Sequence, residues 1–298
     1  MSKINNNRIG LGSVQFGLNY GISNAAGKTT DIEVKKILNL AFKNKIDTID
    51  TAFSYGSSEK VLGKNIENKK KFKIVTKISP IGSNNITEQH VKQVEREFNL
   101  SLERLGMDSI YGLLFHRADD FYTSGIEKIY QKLTKLKAVG KIKKIGASIY
   151  SYSQLEYILE RFPVDLVQLP FNIFDQRLSN LKAFKLLNDA NVEIHSRSTF
   201  LQGLIFIEPS ELPSHLSPFQ SKLRLLNDYA NDNHTSKLAV AIAFVLQQTE
   251  INKCILGFET SVQLQEFLNT LGNLPCLDPS FYKLMAVSDD RVLNPVNW

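Results

Sequence analysis

Asp50, Tyr55, Lys77 and His116 are four ionisable residues whose types and spacing could serve one proton-transfer site. Asp50 closes an apolar run that begins at Ile46, and Tyr55 follows beside Gly56 on what should be a loop. A carboxylate at a strand's end with a phenol on the next loop aims two proton-handling groups at one point. Lys77 ends the apolar run from Phe72, and His116 directly follows the run Tyr111 to Phe115. Ionisable residues ending successive strands converge only if those strands lie side by side and parallel. The elements between them decide that.

Apolar runs of strand type alternate with segments of helical period along nearly the whole chain. Strands are predicted at Ile9–Gly12, Ile46–Asp50, Phe72–Lys77, Tyr111–Phe115, Lys144–Ser148, Leu166–Leu169, Val192–Arg197 and Lys253–Gly257. Between them, Asp31 caps a helix with apolar Val34, Ile37, Leu38 and Ala41, and Thr87 opens a long helix stopped at Gly106. Further helices are predicted over Ser57–Leu62, Gly125–Val139, Ser153–Arg161, Leu178–Ala190, within Phe219–Gln248 and over Ser261–Leu271. The second to seventh strands start 22 to 38 residues apart, the rhythm of repeated βα units. Eight such units predict an α/β fold of the (β/α)8 TIM-barrel type, one domain over residues 1–298. An open doubly wound sheet is the structural alternative. In a barrel, chemistry gathers at the strands' C-terminal ends, where Asp50, Lys77 and His116 all fall.

Composition is ordinary for a globular chain, and 298 residues suffice for a sizeable core. The net charge of +6 is compatible with an anionic small molecule but does not demand one. The lysine-rich stretches Lys69–Lys73 and Lys132–Lys144 lie on or beside predicted helices, so they read as solvated faces rather than a nucleic-acid footprint. Cys254 and Cys276 are isolated, indicating neither a zinc site nor a disulfide framework. The first residues lack a signal-type apolar core, and the run Leu238–Leu246 is too short to span a bilayer. These features predict a soluble protein of a reducing cytoplasm with no membrane partner; the oligomeric state is open.

Several motifs only approach a pattern. Gly10 to Gly17 resembles a dinucleotide fingerprint, but its third glycine is displaced and no helix opens there. Gly21 to Thr29 resembles a phosphate loop but places five residues between its glycines, so it is read as a flexible loop. Asn85 and Asn233 match a glycosylation pattern that has no meaning in a cytoplasmic chain. His90, His215 and His234 are read as solvent-facing, and His195 as either a barrel residue or a site residue.

Asp50, Tyr55, Lys77 and His116 resemble, in type, order and position on the strands, the catalytic set of the aldo-keto reductases. The similarity extends to Ile49-Asp-Thr-Ala-Phe-Ser-Tyr-Gly56, Ser58-Glu-Lys-Val-Leu-Gly63, Leu113-Leu-Phe-His116, Lys141-Ile-Lys-Lys-Ile-Gly-Ala-Ser148 and Val167-Gln-Leu-Pro-Phe-Asn172, and so covers essentially the whole chain. The resemblance implies reduction of an aldehyde or ketone with NADPH, NADH or both. Carbonyl reduction builds negative charge on oxygen, so a site needs a proton donor and an electrostatic clamp. A phenol with pKa near ~10 is a reluctant acid. An ammonium beside it would lower that value, Asp50 would hold Lys77, and neutral His116 would orient the carbonyl. Tyr55 is then the acid in reduction.

By the same resemblance, Ser148 and Gln168 would hold the carboxamide of a nicotinamide, and Ser13, Ser198, Phe200, Leu201, Gln202 and Gly203 would line its passage. The prolines 209, 213 and 218 fit a loop that closes over the cofactor. Two departures stand out: Ile149 replaces an asparagine, and Arg197 replaces an aromatic that stacks on the nicotinamide. The cofactor-binding residues expected after the eighth strand are Gly257, Glu259, Gln263 and Glu266. The whole stretch Leu256–Glu266 lacks the Lys or Arg with which NADPH users meet the 2′-phosphate. Arg117 and Arg197 would suit an anionic or sugar-type carbonyl compound, with Phe16, Tyr20, Phe53, Tyr150 and the tail from Asp289 to Trp298 also at the mouth. A metal-dependent barrel hydrolase would want a His-x-His on the first strand, which is absent. An NADP-binding sensor with little turnover is the remaining alternative.

Overall fold

The computed structural model describes residues 6–180, 182–294 and Trp298. Eight parallel strands close in sequence order into a barrel. They are β1 (Ile9–Gly12), β2 (Thr48–Asp50), β3 (Lys73–Ile78), β4 (Ile110–Phe115), β5 (Ile142–Ser148), β6 (Leu166–Pro170), β7 (Glu193–Arg197) and β8 (Lys253–Gly257). Pairing of β1 with both β2 and β8 completes the ring, and helices cover its outside, giving the expected (β/α)8 architecture. Register places Gly12 beside Asp50 and Ser148 beside Gln168, so the strand ends form one rim.

The outer helices follow from apolar spacing and local caps. Val34, Ile37, Leu38 and Ala41 form the buried face of the helix Asp31–Lys43. Its cap is Thr30 rather than Asp31, with the Thr30 hydroxyl accepting the Glu33 amide at 3.4 Å. The long helix Glu88–Leu105 stops at Gly106, whose φ is 61°. The helix expected over Leu178–Ala190 is two pieces, Arg177–Asn180 and Ala183–Asp189. Lys182 between them takes φ 60°, a left-handed conformation that no right-handed helix can include; Leu181 lies outside the described residues. The strand expected from Ile46 begins at Thr48, because Lys45 turns at φ 63°.

The apolar run Leu238–Leu246 lies in the helix Lys237–Leu246, which is buried from Ala239 to Leu246. It is a core helix. Among the described residues no helix is long and apolar enough to cross a membrane. Lys73 and Lys144, within the stretches read as solvated faces, are strand residues as expected, and at the barrel's N-terminal end they pair with carboxylates. Lys73 pairs with Asp47 at 2.7 Å, and Lys144 pairs with Glu193.

Candidate active site

The rim brings Asp50, Tyr55, Lys77 and His116 together. Lys77 and Asp50 are 1% and 5% exposed, so their pairing is sealed from water. Lys77 Nζ donates to both Asp50 oxygens, at 2.8 and 2.7 Å, and to the Thr51 carbonyl at 2.9 Å. Those three bonds use every donor of the ammonium. Burial pulls the Lys77 pKa down and Asp50 opposes that pull. The same Nζ stands 5.2 Å from the centre of the Tyr55 ring, and the Tyr55 and His116 rings meet edge-on with centres 5.6 Å apart.

Tyr55 is fixed by its neighbours. Its amide donates to the Ala52 carbonyl at 3.0 Å, and its carbonyl accepts the Ser58 amide at 3.0 Å. Gly17, from the turn after β1, packs so closely that a Cβ there would stand 1.9 Å from the Tyr55 carbonyl oxygen. Ser13 contributes to the same brace: its hydroxyl donates to the Asp50 carbonyl at 2.8 Å and lies 2.8 Å from the Ser58 hydroxyl.

The expected lowering of the Tyr55 pKa is not what the site produces. Burial pushes it well above the ordinary phenol value, the Asp50 charge adds to the rise, and Arg197 opposes it. Lys77 is already matched by Asp50, so little of its charge is left for the phenol. Tyr55 therefore carries its proton at neutral pH. His116 is lowered to about 4 by burial and then by Lys77, so its ring is neutral. Ser54 Oγ lies 3.1 Å from His116 Nδ1; with Ser54 as donor, Nε2 bears the ring proton and can donate.

A cavity of about 640 Å³ opens from these residues along the rim toward β8. Of the residues expected at a cofactor, Ser13, Ser148, Gln168, Arg197, Ser198 and Phe200 line it, as do Gln202, Gly203, Gly257, Glu259, Gln263 and Glu266. Leu201 does not: it is 1% exposed and turned into the core. Gln168 Nε2 donates to Asp50 Oδ1 at 2.7 Å, leaving its Oε1 as an acceptor. Ser148, beside it in register, is buried, and its hydroxyl has no hydrogen-bond partner among the described residues. A hydroxyl and an amide oxygen side by side match the acceptor and donor of a carboxamide, so the donor set fits a nicotinamide. Ile149 is fully buried and offers only backbone there.

Arg197 stands over Tyr150, its guanidinium carbon 4.2 Å from the ring centre. It donates at 3.3 Å to Ser198 Oγ and at 3.4 Å to the Ile149 carbonyl, and among the described residues it pairs with no carboxylate. Arg117 differs. Asp120 holds it through Nε and Nη2, at 2.9 and 2.6 Å. Tyr20 and Tyr150 line the cavity, whereas Phe16 is in the core and Phe53 packs under the Arg104 guanidinium at 4.4 Å. None of the described tail residues lines it; Trp298 packs on Phe219, and residues 295–297 lie outside the described residues. His195 is fully buried, with Nε2 2.7 Å from Glu193 Oε1 below the site.

The segment read as a flexible loop is built. Asn24 Oδ1 accepts the amides of Ala26 and Gly27 at 3.0 and 2.9 Å, and the Ile22 amide donates to the Gln202 carbonyl at 2.9 Å. It thus meets the loop after β7 across the cavity. Gly203, at φ 92°, would drive a Cβ to 1.8 Å from the Ser23 hydroxyl. Neither contact has a local sequence signal beyond the glycines themselves.

A family model described as "Aldo/keto reductase family" matches residues 8–287. The chain is 25% identical over 290 residues to the aldo-keto reductase YhdN of Bacillus subtilis (strain 168), covering 89% of this chain and 85% of that protein. It is 26% identical over 279 residues to the NADH-specific methylglyoxal reductase of Escherichia coli (strain K12), covering 83% and 85%. Among solved structures, aldo-keto reductase AKR11C1 from Bacillus halodurans in its holo form superposes with a TM-score of 0.74 at 18% identity, covering 96% and 95%. Barrel, rim geometry and family match agree: this chain belongs to the aldo/keto reductase family and is an oxidoreductase.

Proposed function

We propose that the protein reduces an aldehyde or ketone to an alcohol with a nicotinamide dinucleotide, Tyr55 giving the proton. The observation that carries this reading is a protonated, half-buried phenol held beside a sealed Asp50–Lys77 pair and a neutral His116. A reduced nicotinamide resting against Ser148 and Gln168 would supply the hydride to the carbonyl carbon. His116 Nε2 donates to the carbonyl oxygen and orients it. Tyr55 passes its proton to that oxygen as charge develops, and Arg197, the charge that opposes the rise in the Tyr55 pKa, favours the phenolate formed. Asp50 acts through Lys77, fixing its position.

Arg197 narrows the substrate class. It brings to the cavity wall a positive charge with no carboxylate partner among the described residues, and that charge is felt at both Tyr55 and His116. An anionic carbonyl compound, a carboxylate or a phosphorylated sugar, fits such a wall. The test is dinucleotide oxidation by the purified protein across paired neutral and anionic aldehydes, ketones and keto-sugars. Turnover is expected, with higher kcat/KM for the anionic member of each pair. Dinucleotide binding without consumption by any of them would contradict the reading and favour a sensor.

A further inference from the structure

The two ends of the cavity carry opposite chemistry. Tyr55, Lys77 and His116 stand at one end; Glu259, Gln263 and Glu266 stand at the other, where no Lys or Arg lines it among the described residues. The helix Ser261–Thr270 begins beside that second end. A helix N-terminus ordinarily attracts an anion through its unpaired amides. Here the amides of Thr260, Ser261 and Gln263 are taken. Gln263 Oε1 accepts the Glu259 and Thr260 amides at 2.7 and 3.3 Å, and Thr260 Oγ1 accepts the Gln263 amide at 3.1 Å. Glu33, reaching in from the helix after β1, accepts from the Ser261 amide at 2.6 Å and the Ser261 hydroxyl at 2.5 Å through one oxygen. Its other oxygen pairs with Lys36 at 3.2 Å, so that cation is already matched.

We propose that this chain selects a dinucleotide without a 2′-phosphate, NADH over NADPH, with Glu33 and Glu259 as the discriminating residues. The inference rests on the nicotinamide reading above. With the nicotinamide at the proton donor, the adenosine half extends along the cavity to its carboxylate end. A 2′-phosphate there meets Glu259 and Glu266 as like charges and finds the Ser261 amide occupied by the Glu33 carboxylate. A ribose 2′-hydroxyl meets the opposite situation. Among the described residues the Glu259 carboxylate has only a 3.5 Å contact from Gln263 Nε2, which leaves its oxygens open to accept that hydroxyl.

Calorimetric titration of the full chain with NADH and with NADPH, without substrate, tests this. NADH is expected to bind at least about tenfold tighter, with the gap narrowing as salt screens the carboxylates. Glu259→Arg should close or reverse the gap. Glu33→Gln, which keeps an acceptor for Ser261 while removing the charge and releasing Lys36, should narrow it. NADPH binding as tightly as NADH, or a gap untouched by Glu259→Arg, would overturn the proposal while leaving the nicotinamide reading standing. No binding of either dinucleotide would overturn both.

Discussion

Both ends of the barrel bury charge, but they arrange it differently. At the N-terminal end, Glu193 accepts from the Tyr111 hydroxyl at 2.6 Å, from Lys144, and from His195 Nε2 at 2.7 Å. Asp47 there pairs with Lys73 at 2.7 Å and Lys253 at 2.6 Å. Cations and carboxylates satisfy one another and plug the barrel; among the described residues at this end, His195 Nδ1 is the buried side-chain atom left without a partner. At the C-terminal end one such pair, Asp50–Lys77, is equally tight, but around it Tyr55, Ser148 and Arg197 border an open cavity with no carboxylate of their own. Matched charge at the floor serves the fold, while unmatched polar groups at the mouth are available to a ligand.

Substitutions should separate the two ends. The largest effect is expected from Lys77→Met, because that pair belongs to both roles. It strands Asp50 with Gln168 as its remaining side-chain donor, so stability should fall by about 3–5 kcal/mol and turnover by orders of magnitude. Denaturant melts and initial rates measure the two losses together. Glu193→Gln should cost about 1–3 kcal/mol and leave kcat unchanged, since it loosens only the floor. Burial pushes the Glu193 carboxyl up, but bonds from His195, Lys144 and Tyr111 more than offset this and hold it well below the usual range. Its contribution to stability is thus complete above the ordinary glutamate pKa of about 4.3 and disappears as pH falls below that. Acid titration of stability should be shallower in the variant.

The smallest effect is a shifted titration at the mouth. His116 should take up a proton near pH 4 rather than about 6.5, read from its imidazole resonances by NMR. Between those values the unfolded chain binds this proton and the folded one does not, so acidification through the window costs stability. Lys77→Met should raise the midpoint, because the Lys77 charge is the second cause of the lowering.

The floor and the mouth also differ in how much of each is legible in the sequence. Asp50, Lys77 and His116 are legible because each ends a short apolar run, and the βα rhythm makes such ends neighbours. The fate of individual charges is not. Arg117 is held by Asp120 three residues on, and Tyr55 rises in pKa because burial outweighs a lysine already matched. Glu33 meets Ser261 across 228 residues of chain, a contact no local pattern encodes. The break at Lys182 is invisible for the opposite reason, since apolar spacing continues through it while the backbone does not.

Turnover of Tyr55→Phe, measured beside its dinucleotide dissociation constant, tests the assignment of the proton donor most directly. Losing one hydroxyl should lower kcat by about 10²–10⁴-fold while the dissociation constant and melting temperature stay as in the wild type. Turnover within a few-fold of wild type would show that the proton comes from elsewhere.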